Sequence, residues 1–171
     1  ITIDASGDAD VIAMAGLPNF IGDKGKVQNP TMIFKISGVD IETFKKTYGL
    51  NSIMPQEVTN LIIKMNKDNK YKLPRAKIWL FPTTKPNELL CNCTRIIGED
   101  GRELNSLFYK DFTEAETQGR KQIREYAKFF KENLKGCEKS FVTDTGTQVG
   151  IRQSRQIDGV YKLKNADVVS G

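Results

Sequence analysis

Residues 78–96, IWLFPTTKPNELLCNCTRI, decide the fold class of this 171-residue chain. Two apolar runs, residues 78–81 and 89–96, lie on either side of a short segment that contains two prolines and an asparagine. Apolar runs rich in aromatic and β-branched residues around such a segment are typical of a β-hairpin. The stretch therefore predicts two antiparallel strands and, with them, an antiparallel sheet.

The longest predicted helix spans residues 113–135. Thr113 followed by Glu116 is typical of a capping box, in which the two side chains satisfy backbone donors at the start of a helix. Gly136 follows the last turn and is typical of a helix end. Between these ends apolar residues recur at helical spacing and predict a buried stripe, which consists of Ala115, Ile123, Tyr126, Ala127, Phe130 and Leu134.

Shorter elements are predicted before the hairpin and at both ends of the chain. Residues 2–4 are predicted to form a short buried strand, and the helix after it is expected to stop at Gly16. Residues 18–30 contain glycines and prolines and predict a loop. Asp40 is predicted to cap a short helix, and residues 161–163 are a candidate final strand.

The composition is that of a globular domain, with 39% hydrophobic and 27% charged residues. No run approaches the roughly 18 apolar residues that a membrane-spanning helix needs, so a membrane protein is excluded. No signal peptide opens the chain, and we expect a cytoplasmic protein. The elements together predict an α+β fold, an antiparallel β-sheet with packed α-helices, in a single domain over residues 1–171.

The absence of histidine excludes several kinds of site. Without imidazole the chain cannot form a Ser-His-Asp or Cys-His catalytic system or a zinc site with histidine ligands. A calcium-binding EF-hand loop starting at Asp4 is excluded too, because Ala9 and Ala15 occupy its glycine and acidic positions. No metal site is therefore predicted. The cysteines are interpreted as small, reduced core residues: Cys91, Cys93 and Cys137.

The net charge of +5 is compatible with an anionic ligand but does not identify one. A solvated helix face commonly carries basic residues, and nucleic acid is not an expected partner. The helix over residues 113–135 nevertheless gives an alternative function, a non-catalytic interaction module that binds anions or nucleic acid. Its basic side consists of Lys121, Arg124, Lys128, Lys131 and Lys135.

Arg152 and Arg155 are candidates for binding an anion. On a β-strand these two side chains would point to opposite faces, whereas on a helical turn they would share one face. In the second case they could hold one carboxylate or phosphate together. The spacing leaves open that they instead pair with acidic residues on neighbouring elements.

Two stretches near opposite ends of the chain together resemble one enzyme family. Residues 3–10, IDASGDAD, followed by Ala15-Gly16, are similar to a motif of FAD-dependent oxidoreductases of the glutathione-reductase-like group. Residues 150–159, GIRQSRQIDG, with Tyr161 and Leu163, resemble a second and specific signature of the same family. The resemblance covers nearly the whole chain.

This resemblance implies a part of a longer enzyme. The family's GxGxxG dinucleotide-binding segment would lie upstream, so the chain corresponds to the substrate or cap domain, with residues 1–16 at the edge of the FAD-binding domain. FAD would be held by the parent protein rather than by this chain alone, which is expected to be inactive by itself. Its implied partners are the missing FAD-binding domain of the same polypeptide and a small-molecule substrate.

The resemblance also implies roles for individual residues. Ser6, Gly7 and Asp8 are predicted to contact the cofactor, with the backbone of Gly7 lying closest to it. Arg152 and Arg155 are predicted to face the active site as substrate-binding residues, where they would hold an anionic group of the substrate or the polar edge of the flavin. The flavin would carry the hydride chemistry, which is consistent with a chain that has no histidine.

Overall fold

The computed structural model describes residues 1–49 and 53–170 as helices and antiparallel strands, which confirms the predicted α+β class. The helices are α1 (Asp10–Met14), α2 (Ile41–Tyr48), α3 (Gln56–Lys67), α4 (Tyr109–Asn133) and α5 (Asn165–Ser170), and the strands are β1 (Asn19–Ile21), β2 (Phe34–Ser37), β3 (Trp79–Pro82), β4 (Glu88–Asn92), β5 (Phe141–Thr145) and β6 (Arg155–Ile157).

The main sheet has the strand order β3-β4-β2-β5, and every neighbouring pair is antiparallel. The predicted hairpin of residues 78–96 is confirmed as β3 and β4. Cys91 on β4 lies opposite Leu80 on one side and Phe34 on the other. All three side chains are buried, because alternate residues of a strand point to the same face. That face forms the floor of the hydrophobic core.

Helix α4 covers this face of the sheet with the predicted apolar stripe. Ile123, Tyr126 and Phe130 are buried, as the periodicity predicts. The ring of Phe130 stacks on that of Phe34 on β2, with centroids 6.3 Å apart. Phe129 is buried as well, so the apolar side of the helix is wider than the predicted stripe.

The predicted capping box at the start of α4 is wrong. The helix begins one turn earlier, at Tyr109, and the Thr113 hydroxyl donates to the Tyr109 carbonyl at 2.9 Å. The Glu116 carboxylate accepts from the backbone N–H of Val149 instead. Asp111 holds the true first turn, because its carboxylate accepts from the preceding loop, at the N–H of Asn105 (3.1 Å).

The predicted helix after Asp40 is confirmed as α2. The Asp40 carboxylate accepts a hydrogen bond from the N–H of Thr43 at 3.0 Å, which is the contact expected of an N-cap residue.

No helix in the ranges 1–49 and 53–170 is both long and apolar enough to cross a membrane.

A second, two-stranded sheet joins the two ends of the chain. Strands β1 and β6 pair antiparallel, with Asn19 opposite Ile157. Three predictions are therefore wrong. Residues 18–30 contain strand β1, whereas residues 2–4 and 161–163 form no strand. The local sequence of these two segments is compatible with a strand, but within the described ranges neither lies beside a strand with which it pairs.

Candidate functional site

The polar side chains of residues 4–12 close this segment into a tight loop. The Asp4 carboxylate accepts hydrogen bonds from the Ser6 N–H (2.9 Å), the Ser6 hydroxyl (2.7 Å) and the Ile12 N–H (3.0 Å). These bonds, the one from the Ser6 hydroxyl first, lower the pKa of Asp4 from its ordinary value. The Ser6 oxygen in turn accepts from the Asp10 N–H at 2.8 Å. The loop therefore holds its shape through its own side chains.

Contacts from the opposite end of the chain fix this loop in place. The Arg155 guanidinium donates to the Asp10 carboxylate at 2.6 Å and to the Asp8 carbonyl at 2.9 Å. The Ser154 hydroxyl donates to the Asp8 carboxylate. We call these contacts between residues 4–12 and 154–157 the end junction. It brings together the two stretches that resemble FAD-dependent oxidoreductases.

Gly7 lies at the exposed tip of the end junction. Its φ is +46°, and a Cβ built there would meet no atom within 4 Å. Within residues 1–49 and 53–170, no group accepts a hydrogen bond from the N–H of Gly7, Asp8 or Ala9. The side chains of Ser6 and Asp8, in contrast, are engaged inside the junction. A ligand can approach this loop through its main chain at Gly7.

Arg152 does not share the surroundings of Arg155. It lines a cavity of about 380 Å³ together with two arginines from other parts of the chain, Arg75 and Arg95. Glu103 also lines this arginine cavity. Arg152 and Arg155 thus lie in neighbouring but different environments. Arg152 lines an open cavity, whereas Arg155 forms an ion pair with Asp10 of the same chain.

Arg75 is held in the arginine cavity by residues of the core. The hydroxyl of Tyr126 on α4 donates to the Arg75 carbonyl at 2.7 Å and accepts from the Arg75 N–H at 2.9 Å. Burial raises the pKa of Tyr126, so that this hydroxyl keeps its proton. The Arg75 guanidinium lies 4.1 Å from the centre of the Trp79 ring and donates to Asn92 at 3.4 Å.

The same helix also holds the main chain of Arg95. Gln122, one turn before Tyr126, accepts from the Arg95 N–H at 3.0 Å and donates to the Arg95 carbonyl at 2.9 Å. Two side chains spaced four residues apart on one helix face therefore hold the main chains of two arginines. Sequence reasoning missed this, because nothing in the local sequence around Arg75 indicates a site.

The segment that carries Arg152 is tied to the loop before β2. Gly150 and Thr31 exchange two backbone hydrogen bonds, at 2.7 and 3.1 Å. The Gln153 side chain accepts from the Gln28 N–H at 3.0 Å. Each of the three arginines is therefore on a segment whose main chain is fixed by hydrogen bonds.

The electrostatics of the cavity follow from this arrangement. Burial lowers the pKa of Arg75 from its ordinary value, and repulsion by Arg95 and Arg152 adds to the effect. An arginine nevertheless stays protonated in proteins. The cavity consequently keeps three positive charges against the one carboxylate of Glu103.

Other features offer less to a ligand. A larger cavity of about 890 Å³ lies beside α4, but its charges are mixed, and Lys121 on its wall pairs with Glu99 at 3.2 Å. The described residues contain no group of three or more histidine, cysteine, aspartate or glutamate side chains arranged to hold a metal.

The prediction of reduced core cysteines is confirmed, because all three are free and buried. Burial raises the pKa of Cys137 to about 12, so that this thiol stays protonated.

The fold and the site define an α+β domain whose two chain ends meet beside an arginine-lined cavity. The chain belongs to a family of FAD-dependent oxidoreductases, since the family model described as FAD dependent oxidoreductase matches residues 1–171. The predicted family is thereby confirmed, and the family implies FAD as the cofactor of the parent protein. No curated protein and no solved structure matches the chain significantly.

The residues predicted to contact FAD fit that cofactor in one respect. The main chain at Gly7 is exposed, and the space beside it is open, as close approach by a flat or extended group requires. The side chains of Ser6 and Asp8 are occupied by Asp4 and Ser154. The cofactor roles of Ser6, Gly7 and Asp8 stay predictions, with the main chain as the part that offers contacts.

Proposed function

We propose that this chain supplies the substrate-facing domain of an FAD-dependent oxidoreductase. The domain would bind a small-molecule substrate and present it to a flavin held by the FAD-binding domain of the same polypeptide. Alone, it would be inactive. The observation that carries the proposal is the end junction, where the two stretches typical of the family meet. Three residues before Arg155, Arg152 lines the open arginine cavity.

The chain's own residues would divide the work between positioning and binding. Bound FAD accepts or donates the hydride. Gly7 would offer its main-chain N–H group to the cofactor, while Asp4 and Ser6 hold the loop in shape. Arg155 would act as a positioning residue through its bonds to Asp8 and Asp10. Arg152 would contact the substrate, for which a guanidinium offers a fixed pair of donors.

Exposed apolar side chains at the two chain ends support docking of the FAD-binding domain there. Met14 is 87% exposed and Leu17 50% exposed, and Leu163 and Val169 near the other end are exposed too. Apolar groups clustered on a surface are typical of faces that contact another domain. The free cysteines support the expectation of a cytoplasmic location.

The proposal is tested by measuring whether the chain alone, and the natural polypeptide that contains it, bind a flavin. The 171-residue chain is titrated with FAD, and the natural polypeptide that contains it is purified and examined for flavin absorbance. We expect no tight FAD binding by the chain alone and a flavin in the longer polypeptide. A longer polypeptide that carries no flavin would contradict the proposal, as would flavin chemistry by the chain alone.

The role of Arg152 is tested in the flavin-loaded polypeptide. Arg152→Gln removes a guanidinium from the cavity wall, and we expect kcat/KM for flavin reduction to fall by about tenfold or more, the cost of a charge-assisted hydrogen bond. Arg124→Gln is the matched control. Arg124 is exposed on α4, so this substitution makes the same charge change outside the arginine cavity. Equal activity of the two variants would contradict the assignment.

A further inference from the structure

We propose that the arginine cavity binds the anionic group of the substrate, so that the enzyme acts on small organic anions carrying a carboxylate or a phosphate. The inference rests on the proposed function and extends it, since it names the substrate class and adds Arg75 and Arg95 to the site. The occupant would be held by guanidinium groups from three segments, around residues 75, 95 and 152.

The arginines of the cavity differ from other arginines of the chain in their ion pairs. Arg102, Arg120 and Arg155 each pair with a carboxylate at 3.2 Å or less. In contrast, none of the three arginines in the cavity forms an ion pair within 4.0 Å among residues 1–49 and 53–170.

Holding three cations in one cavity is unfavourable because like charges repel, and the repulsion is felt most at Arg75, the least exposed of the three. A bound anion would remove that repulsion and gain charge-assisted hydrogen bonds. Glu103 is the one carboxylate among the residues that line the cavity, so the three arginines leave an excess of positive charge. The cavity is therefore complementary to an anion.

The scaffold fixes the main chains of Arg75 and Arg95, and the side chain of Arg75, before any ligand binds. Tyr126 and Gln122 each make two hydrogen bonds to the main chain of an arginine, and both lie on the longest helix of the core. The Trp79 ring supports the Arg75 side chain at 4.1 Å. A preorganised site loses less entropy on binding than one that must be ordered by its ligand. Surface arginines that serve only solubility need no such supports.

The size of the cavity favours a small ligand. Its volume of about 380 Å³ is near the lower end of the range of about 300–1,000 Å³ for small-molecule sites. Asn29 also lines it, and the Asn29 side-chain oxygen is buried with no hydrogen-bond partner in the described part of the chain. A small anion that also carries a hydroxyl or amino group would suit this combination of donors and acceptors.

Trp79 gives a direct readout of binding, because it is the single tryptophan of the chain and contacts Arg75. The 171-residue chain is titrated with inorganic phosphate, with malonate and with ADP while chloride keeps the ionic strength constant. We expect a saturable change in Trp79 fluorescence with phosphate or malonate. Whichever of the two binds more tightly identifies the anionic group.

Two variants separate the cavity from general charge effects. Arg95→Gln should raise the Kd for the anion by about tenfold or more, while Arg124→Gln should leave it unchanged. Arg95 is exposed, so both variants are expected to keep the melting temperature of the parent chain, which a thermal scan checks. No saturable response, or equal responses of both variants, would overturn the proposal. Tighter binding of ADP than of either small anion would overturn it as well, because the cavity would then belong to the dinucleotide.

The outcome is independent of the test of the proposed function, because it needs no flavin. The longer polypeptide could carry flavin and turn over substrate while the 171-residue chain shows no anion response. That result would overturn only the assignment of the substrate class. Conversely, if the chain binds the anion saturably, Arg95→Gln weakens this binding and the longer polypeptide carries no flavin, the anion site is supported and the proposed oxidoreductase role is overturned.

Discussion

The core and the end junction are held together by different forces. Between the main sheet and α4, side chains such as Phe34, Phe129 and Phe130 are almost completely buried and contact one another. In the end junction, the bonds that join residues 4–12 to residues 154–157 are polar, and apolar neighbours such as Leu17 are exposed. The core is apolar and buried, as is typical of the interior of an independent domain. The end junction is polar with exposed apolar neighbours, as is typical of a surface that contacts another domain.

This difference indicates where the stability of the molecule is concentrated. Burial of apolar surface supplies most of the free energy of folding, and here it is concentrated in the core. Polar contacts contribute less to stability but fix geometry. The arginine cavity lies where the two regions meet, because Arg75 and Arg95 are held from α4 and Arg152 is on the segment that leads to the junction.

The largest effect is expected in the core. Phe130→Ala should lower the free energy of unfolding by about 3–5 kcal/mol, because it leaves a cavity between α4 and β2. Phe20→Ala on β1, where the residue is 39% exposed, is the matched change in the peripheral sheet and should cost less than about 1 kcal/mol. Urea denaturation of both variants measures the difference. Equal losses would mean that the peripheral sheet is as much a part of the core as α4.

A smaller loss is expected where the core supports the cavity. Tyr126→Phe removes the hydroxyl bonded to the Arg75 main chain and leaves that N–H without its partner, at a cost of about 1–3 kcal/mol. It should also weaken the anion response of Trp79. A variant with full anion binding despite reduced stability would show that the hydroxyl supports the fold alone. Denaturant unfolding and the fluorescence titration are measured on the same sample.

Breaking the end junction should change the global stability little. Arg155→Gln removes an ion pair with Asp10 in which both side chains are partly exposed, and such pairs contribute about 0–1 kcal/mol. Hydrogen exchange should nevertheless become faster for the amides of residues 10–12, while amides of β4 stay protected. Faster exchange in β4 as well would show that the junction and the core unfold as one unit.

The smallest effect concerns pH. The pKa of Asp4 is lowered in the folded chain by its bonds to Ser6 and Ile12, so the carboxylate stabilises the loop fully above its ordinary pKa of 3.8. This contribution is lost as the pH falls through the lower, folded value. The amide signals of Ser6 and Ile12 should then shift in NMR spectra while those of β4 do not. In Asp4→Asn the same signals should show no such step, and a step that persists there would assign it to another acid.

The elements of the core were predicted from the sequence because their signals are local. The alternation and composition of residues 78–96 indicate a hairpin, and the spacing of Ile123, Tyr126 and Phe130 indicates one buried helix face. The start of α4 was not predicted correctly, because Thr113 and Glu116 have the spacing of a capping box but make their bonds elsewhere. A capping pattern specifies what two side chains can do, and neighbouring segments decide whether they do it.

The candidate site was predictable only in part. The family resemblance indicated Gly7, Arg152 and Arg155, and the spacing left open whether the two arginines act together. In the structure Arg155 pairs with Asp10 and Arg152 lines the cavity. Neither environment follows from a three-residue spacing. The ion pair of Arg155 depends on a segment 145 residues earlier in the chain. The cavity of Arg152 depends on loops beside α4.

The sequence by itself determined the fold class, the family and the residues around which a site had to be sought. Periodicity and turn residues are properties of short segments, so they could be interpreted without the rest of the chain. Only the tertiary structure decided that Arg75 and Arg95 join Arg152 and that the chain ends meet at Asp8 and Asp10. Such contacts depend on strand register and on the direction of α4 across the sheet, which many distant residues set together.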